Sequence, residues 1–540
     1  MPRTPLLRSL FQLARDHEEA DTRQVPVETV RQEREASAEV SRRTFLATIA
    51  AGAAAATLLP KAAWAAGGPR IAIVGGGISG LACALQLADS GLASTVYESK
   101  GRTGGRMFSD MAGTYWADGQ VSEWCGELVD TGHKTIHKLC QRFGLSLDDL
   151  KAAQPNQSTD TNYFGGAYYT TADKDFAAVK QALKVDLNAA GYPTRFDKFT
   201  SAGHALDQMS LYDWIETRVP GGHQSKLGQL IDVAYVIEYG AETTDQSALN
   251  LVYLLGYQAT AGNFQIFGAS DERYHIRGGN QRLPEAIATY LGKNAVKCGY
   301  RMTQIARNAD LTFTLTFAKS AGGVTTVVAD AVILALPFAV LRKLDYSLAG
   351  FDALKDTAIQ QLGRSQNGKL MVQFNKRLWN DVGPWGKGNG SSYSDTGYQA
   401  AWDVSRAQPG NAGILVGYSG GSVTVDTYAG QASPYTRAND AKTGVLAKQL
   451  LAQMEPVYPG LTATANGKAE LSIPPKDPDL LLAYSYFRVG QYTQFAGYEK
   501  APQGHCYFAG EHCSQDFQGF MEGGASEGIR AATEVVAAFK

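Results

Sequence analysis

The chain has 540 residues, a formal net charge of -2, 44% hydrophobic and 19% charged residues, which is ample material for buried cores in several domain-sized units. A charge balance near zero excludes a chain-wide electrostatic handle for nucleic acid or an anionic membrane, and 6 cysteines are too sparse for a disulfide scaffold. The 58 glycines exceed the roughly 7% average usage while the 19 prolines do not, so the surplus is bare backbone rather than Pro-rich disorder.

Charged residues of mixed sign, without a clear period, occupy the start of the chain and read as a leader. Ser41-Arg42-Arg43-Thr44-Phe45-Leu46 then opens a mild apolar stretch to Leu59, closed by Pro60, Lys61 and Ala63-Trp64-Ala65. A charged region, a short apolar region and an A-x-A site are the parts of a cleaved export signal. The paired arginines resemble a twin-arginine signal, with Ala47 where lysine is usual. The stretch is shorter than the roughly 20 residues a bilayer requires, and no later segment is apolar enough. We expect residues 1–65 to be a leader read by the twin-arginine machinery, a periplasmic or secreted product, and neither a stable membrane anchor nor a nucleic-acid partner. Because that route carries folded proteins, a bound prosthetic group becomes a stronger expectation.

Next comes Arg70-Ile71-Ala72-Ile73-Val74-Gly75-Gly76-Gly77-Ile78-Ser79-Gly80, followed by Leu and Ala at helical spacing. The apolar run predicts a buried parallel strand, which places Gly75, Gly77 and Gly80 at a strand-to-helix turn. There they permit a tight turn, close approach to a pyrophosphate and close helix packing. The second predicted strand, Ser94 to Glu98, ends in an acid that can bind a ribose hydroxyl.

Beyond Glu98 lies Ser99-Lys100-Gly101-Arg102-Thr103-Gly104-Gly105-Arg106-Met107. It matches E-x-x-x-R-x-G-G-R and resembles the flavin-containing amine oxidase family, which includes monoamine, polyamine and L-amino acid oxidases. Gly104 and Gly105 let backbone approach the cofactor, and Arg102 and Arg106 offer charge to its phosphates. Near the other end, Phe508-Ala509-Gly510-Glu511 and Gly519-Phe520-Met521-Glu522-Gly523-Gly524 resemble the family's C-terminal signature. The resemblance implies that Glu511 holds the ribityl chain and that Met521 lies beside the isoalloxazine ring. Tyr274 to Asn280, Leu283-Pro284 and Ala329 to Pro337 resemble the middle segment of the cofactor domain, where backbone near Met302 would meet the adenine.

The expected fold is therefore an α/β (α+β) two-domain flavoprotein. A Rossmann-like FAD-binding domain would be drawn from 66–147, 271–340 and 484–540, interleaved with a substrate-binding domain from 148–270 and 341–483. Lys369, ten positions before Trp379 on a strand-like stretch, resembles the family's active-site lysine, which holds a water against the flavin and is tied to reoxidation by oxygen. Gly490-Gln491-Tyr492-Thr493 resembles G-C-Y-T, so Tyr492 and Phe520 would be the two aromatic walls of a low-dielectric slot for a neutral amine. Gln491 stands where some members carry a flavin-linked cysteine, which implies non-covalent FAD.

Trp124 to Thr131 corresponds to the stretch in which L-amino acid oxidases place a carboxylate-binding arginine; here that position is Val129. A buried carboxylate without a cation is costly, so free amino acids are disfavoured unless another arginine serves. Glu127 and Asp130 are the acidic candidates for meeting an amine, although Asp130 also reads as a helix N-cap. His133 with His137, and the His-Cys pairs 505/506 and 512/513, lack metal-site spacing, and no metal is expected. The resemblance implies an FAD-dependent amine oxidase that takes hydride from the substrate α-carbon, uses O2 and releases imine and hydrogen peroxide. An L-amino acid oxidase, a desaturase or isomerase of the same fold, and a silent FAD-binding protein are the alternatives. A homodimer is left open.

Overall fold

The computed structural model describes residues 68–111, 113, 115–256, 267 and 270–539. The twin-arginine segment and the expected cleavage site lie outside the described residues. Arg70–Lys540 forms one compact unit.

A five-stranded, all-parallel sheet lies at the centre of one half, in the order Cys506–Phe508, Ala331–Leu334, Ile71–Val74, Ser94–Glu98, Val296–Cys298. Ile71–Val74 and Ala331–Leu334 are buried along their whole length, as strands covered on both faces must be. The sheet thus gathers distant stretches of chain: the 71–74 and 94–98 strands lie between 331–334 and 296–298, and 506–508 forms the edge beyond 331–334.

Two helices lie beside this sheet with their backbones in close approach. Ile78–Asp89 follows the first strand, and Met521–Phe539 crosses it. A β-carbon on Gly528 would fall 2.1 Å from the Ser79 carbonyl oxygen, and one on Gly524 would fall 3.0 Å from Ile78 Cγ2. On another side, Tyr97 stacks on Phe317 at 4.6 Å and meets Tyr300 edge-on at 5.7 Å. These rings tie the parallel sheet to a second one made of Tyr300–Arg307, Phe313–Lys319, Val324–Ala329 and Asp345–Leu348.

The other half is a nine-stranded mixed sheet. Its path runs Tyr435–Arg437, Ala465–Ser472, Asn367–Phe374, Gly413–Gly420, Ala400–Asp403, Gly386–Ser394, Thr159–Phe164, Ala167–Tyr168, with Val382–Gly383 paired to Gly386–Ser394. Its central strand, Asn367–Phe374, is buried throughout, an unusual place for a lysine. Helices Ala172–Ala190, Leu211–Arg218, Lys226–Tyr239 and Ala248–Leu255 supply much of the neighbouring apolar core. The chain therefore folds as an α/β protein with a Rossmann-like half and an interleaved mixed-sheet half. No described helix is long and apolar enough to cross a membrane.

Gly528→Ala should lower the unfolding free energy by roughly 1–3 kcal/mol, because the helices must separate to admit one methyl group. Ser526→Ala on the same helix should stay within about 0.5 kcal/mol. Urea unfolding of the two variants checks this difference.

Candidate active site

At the first turn the chain leaves the strand Ile71–Val74 through Gly75, whose φ is +108° and whose amide donates to the Tyr97 carbonyl at 2.8 Å. A β-carbon on Gly80 would lie 2.0 Å from the Gly75 oxygen, so the helix can start this close to the strand only without one. The second glycine turn docks on the first: Gly104 donates to the Gly76 carbonyl at 2.8 Å, and a β-carbon on Gly105 would meet only the backbone of Gly77. Gly77 begins the helix without any side-chain cap, and Ser79 Oγ is buried with no hydrogen-bond partner. Two bare turns, a helix N-terminus and an unsatisfied buried hydroxyl fit the pyrophosphate of a dinucleotide.

Glu98 is buried at the end of its strand and accepts from the Gly76 amide at 2.7 Å and the Lys100 amide at 2.8 Å, so the acid itself braces the turn. Arg102 bends back on its own loop. Its guanidinium donates to the Thr103 and Gly105 carbonyls and lies 3.6 Å over the Phe108 ring. The Gly299 amide donates to the Lys100 carbonyl at 3.0 Å, which brings the start of Tyr300–Arg307, with buried Met302, against the chain just past Glu98.

The C-terminal segment closes on the second turn. Arg106 pairs with Glu511 at 2.9 Å and donates to the Ala483 carbonyl at 3.0 Å. Glu511 also accepts from Ser485 Oγ and from the Gly519 amide. Burial presses its carboxyl upward, but Arg106 and His512 outweigh this and hold it below the usual carboxylate range. Met521 touches the position a β-carbon of Gly126 would take, at 3.2 Å. Its neighbour Glu522 accepts from the Thr135 and Ile136 amides, capping the helix Lys134–Arg142.

Lys369 reaches this edge from the mixed sheet. Its ammonium donates to the Cys125 carbonyl at 2.7 Å, to Glu127 Oε2 at 2.8 Å and to the Glu123 carbonyl at 3.3 Å. Trp402 donates its indole N–H to the other oxygen of Glu127 at 2.9 Å, and its ring lies 5.7 Å from the Lys369 nitrogen. Burial alone would raise the Glu127 carboxyl, but Lys369 and then Trp402 outweigh it and hold it low. The Gly126 amide donates to the Arg106 carbonyl at 2.8 Å, so the lysine, the second glycine turn and Met521 are brought together.

Two expectations need correction. Tyr492 does not face Phe520 across a slot: it sits in an interior cluster, its hydroxyl donating to Asn250 Oδ1 at 3.0 Å and its ring 4.4 Å from Phe487 and 5.9 Å from Tyr253. The aromatic ring against the Gly519-Phe520 turn is Tyr484, 3.6 Å from where a Gly519 β-carbon would be. Tyr484 donates to the Ile237 carbonyl and meets the Tyr418 hydroxyl at 3.0 Å, and Tyr418 packs edge-on against Trp402 at 5.1 Å. Trp402, Tyr418 and Tyr484 thus form a half-buried aromatic wall. Half-buried Phe520 has its ring 5.2 Å from His133. The G-x-Y-T letters at 490–493 led the sequence reading eight residues too far along.

Asp130 is the second correction. Its carboxylate accepts from the Glu272 amide and Ser270 Oγ, both at 2.8 Å, and the helix that follows begins only at Lys134. It therefore ties down the 270–272 segment instead of capping a helix, and its oxygens are engaged within the protein. Glu127 is likewise engaged, by Lys369 and Trp402. Val129 is wholly buried in the apolar core beside Ile136 and Ile276. Among the described residues no group of three or more His, Cys, Asp or Glu could hold a metal ion.

His512, next to Glu511, is 1% exposed with both ring nitrogens lacking a partner, and burial lowers its pKa to about 4. The unfolded chain then takes up a proton that the folded state refuses, so stability is full above about pH 6.5 and is lost as pH falls toward 4. Between pH 7 and pH 5 this group should cost about 2 kcal/mol. His512→Phe should flatten that slope by the same amount, as read from urea midpoints at the two pH values.

A sequence model of the family described as flavin-containing amine oxidoreductase matches residues 78–536. The chain is 23% identical over 478 residues to a probable flavin-containing monoamine oxidase A of Dictyostelium discoideum, covering 86% of this chain and 97% of that protein. It is 25% identical over 483 residues to polyamine oxidase 4 of Oryza sativa subsp. japonica (86% and 88% covered) and 23% identical over 482 residues to an L-amino-acid oxidase of Sistrurus catenatus edwardsii (86% and 86%). Cyclohexylamine oxidase from Brevibacterium oxydans IH-35A shares the fold with a TM-score of 0.72 at 17% identity, and putrescine oxidase bound to putrescine does so at 0.71 and 18%; each likeness covers 87% of this chain and 99% of that one. With a family match spanning most of the sequence and the paired glycine turns fitting a dinucleotide, the cofactor is FAD, held non-covalently, and the chain is an oxidoreductase that belongs to the flavin-containing amine oxidoreductase family.

Proposed function

We propose that the protein is an exported FAD-dependent oxidase of amines, with O2 as electron acceptor and hydrogen peroxide, an imine or aldehyde, and ammonia or an amine as products. The observation that carries the reading is the placement of buried Lys369 at the edge of the second glycine turn, next to a wall made by Trp402, Tyr418 and Tyr484. FAD, when bound, would supply the chemistry that the side chains lack, namely a hydride acceptor for the substrate α-carbon and a route for electrons to oxygen.

The chain's own part is to bind, orient and keep dry. Gly75, Gly77, Gly80 and Ser79 would receive the pyrophosphate, Glu98 the adenosine ribose, backbone near Met302 the adenine, and Arg106 with Glu511 the middle of the cofactor. Tyr484 and Phe520 flank the Gly519 turn, and their apolar faces favour an uncharged amine over its ammonium form. Lys369 contributes an amine group held in place by the Cys125 carbonyl and Glu127. No strong base is needed at the α-carbon, which agrees with Glu127 and Asp130 being committed to other groups.

A carboxylate-bearing substrate finds no cation at Val129. An L-amino acid oxidase would have to use another arginine. Arg406 is the buried one whose charge Glu272 feels, and its Nε is held by the Asp403 carbonyl. The leader at 1–65 supports delivery of the folded holo-protein to the periplasm by the twin-arginine machinery. How the 66–147, 271–340 and 484–540 stretches divide from 148–270 and 341–483, and whether two copies associate, belong to the same proposal.

Peroxide release from a panel of monoamines, polyamines and L-amino acids tests the substrate class, and turnover confined to L-amino acids would replace the amine reading. Tyr484→Ala should lower kcat/KM for the best amine by about 10²-fold, a loss of about 2.7 kcal/mol of transition-state stabilisation, whereas Tyr492→Phe should leave it within about threefold. Replacing Arg42 and Arg43 together by lysine should leave the flavoprotein in the cytoplasm; periplasmic yellow protein from that variant would remove the export assignment.

A further inference from the structure

Lys369 is not alone at its site. Its three ammonium protons are taken by the Cys125 carbonyl, Glu127 and, at longer range, the Glu123 carbonyl. Both members of the Lys369 and Glu127 pair are less than 10% exposed, and each oxygen of Glu127 is used, one by Lys369 and one by Trp402. The pair joins the two halves of the fold: Glu127 follows the second glycine turn, while Lys369 and Trp402 come from neighbouring parts of the nine-stranded sheet.

We propose that Glu127 is a positioning residue acting through Lys369: its carboxylate fixes the ammonium on the Cys125 carbonyl and supplies the opposite charge that a buried ammonium needs. The inference rests on the reading of Lys369 as a working residue of an oxidase. An unpaired buried ammonium would give up its proton to escape the cost of desolvation. Other groups facing the pair do not replace Glu127. The Cys125 thiol is pushed up by burial and carries no charge near neutrality. Glu123 spends its carboxylate on His275, Asn280 and Ser109. Tyr418 and Ser472, the ladder neighbours of Lys369, are uncharged, and burial raises the Tyr418 hydroxyl above its ordinary range. Glu272 bears on Glu127 as a like charge, raised to about 7 by burial and by Asp130.

The test uses purified holo-protein with flavin content checked by absorbance. Reductive methylation with formaldehyde, followed by mass spectrometry, reads the pH at which Lys369 becomes modifiable. The native protein gives the reference curve for Lys369. In Glu127→Gln it should become modifiable about two units lower, and Glu127→Asp should restore most of the protection. Flavin reoxidation, followed by stopped flow, should stay flat from pH 7 to 9 in the native protein and fall about tenfold over that range in Glu127→Gln. Where Glu127→Gln fails to hold FAD, Trp402→Phe serves: loss of the indole donor should shift the Lys369 curve the same way by a smaller amount. An unchanged Lys369 curve in a flavin-loaded Glu127→Gln or Trp402→Phe variant overturns the proposal, whatever the oxidase assays give. A shifted curve in a protein that makes no peroxide from any amine keeps the pairing and overturns the oxidase reading instead.

Discussion

Contact of backbone on backbone at the two glycine turns is the constraint on which the rest of the structure depends. The turn after Ile71–Val74 receives the loop at Gly104-Gly105 through the Gly104 amide on the Gly76 carbonyl, with Gly75, Gly104 and Gly105 all at positive φ and a β-carbon on Gly105 only 3.3 Å from the Gly77 Cα. Once they meet, Arg106 is aimed at Glu511, and the 123–127 stretch is drawn alongside through the Gly126 amide. The cofactor's bed and the anchor of the reactive edge are therefore one feature. A methyl group on Gly75 or Gly104 would fall 2.6 Å from the Ala335 or Met107 carbonyl oxygen and would force its turn to shift.

The buried charges follow from that arrangement. Arg106 with Glu511 and Lys369 with Glu127 are pairs of opposite sign, and His275 meets Glu123 at 2.8 Å beside them, each completed by donors from neutral groups. Single buried charges of this kind would be expelled or neutralised, whereas completed pairs are retained. Burial also raises the His275 environment's demand for a partner: it works against protonation of the ring, yet Glu123 outweighs it and raises the pKa. Such pairs hold chemistry in place more than they stabilise the fold, because removing either member leaves the other without compensation.

The fold was legible because its strongest signals are local and covalently ordered: an apolar run, a glycine turn, a helical period and a terminal acid within thirty residues. The C-terminal helix could be read for the same reason. Tyr484 could not. Its segment, Ala483-Tyr484-Ser485-Tyr486, has no glycine turn to mark it, while Gly490-Gln491-Tyr492-Thr493 offers a match of letters whose side chain points into the core. Tertiary bonds such as Arg106 to the Ala483 carbonyl, Ser485 to Glu511 and Tyr484 to the Ile237 carbonyl distinguish the two registers. Trp402 escaped for a related reason, since a lone tryptophan in a strand reads as core. Asp130 was misjudged because its partners, Ser270 and the Glu272 amide, lie 140 positions away.

The corrected register also changes why the flavin is free. The residue before Tyr484 is Ala483, with no thiol to offer, so the non-covalent mode does not depend on Gln491 at all. Without a covalent bond, retention of the cofactor rests on what the chain wraps around it. Met521–Phe539, the nucleotide turn and the 483–485 segment are held together by Glu511, which accepts from Arg106, Ser485 and the Gly519 amide at once. Glu511 thus acts as a clasp between these segments, closed by an ion pair, and on the proposed reading weakening it frees the cofactor before it unfolds the sheets.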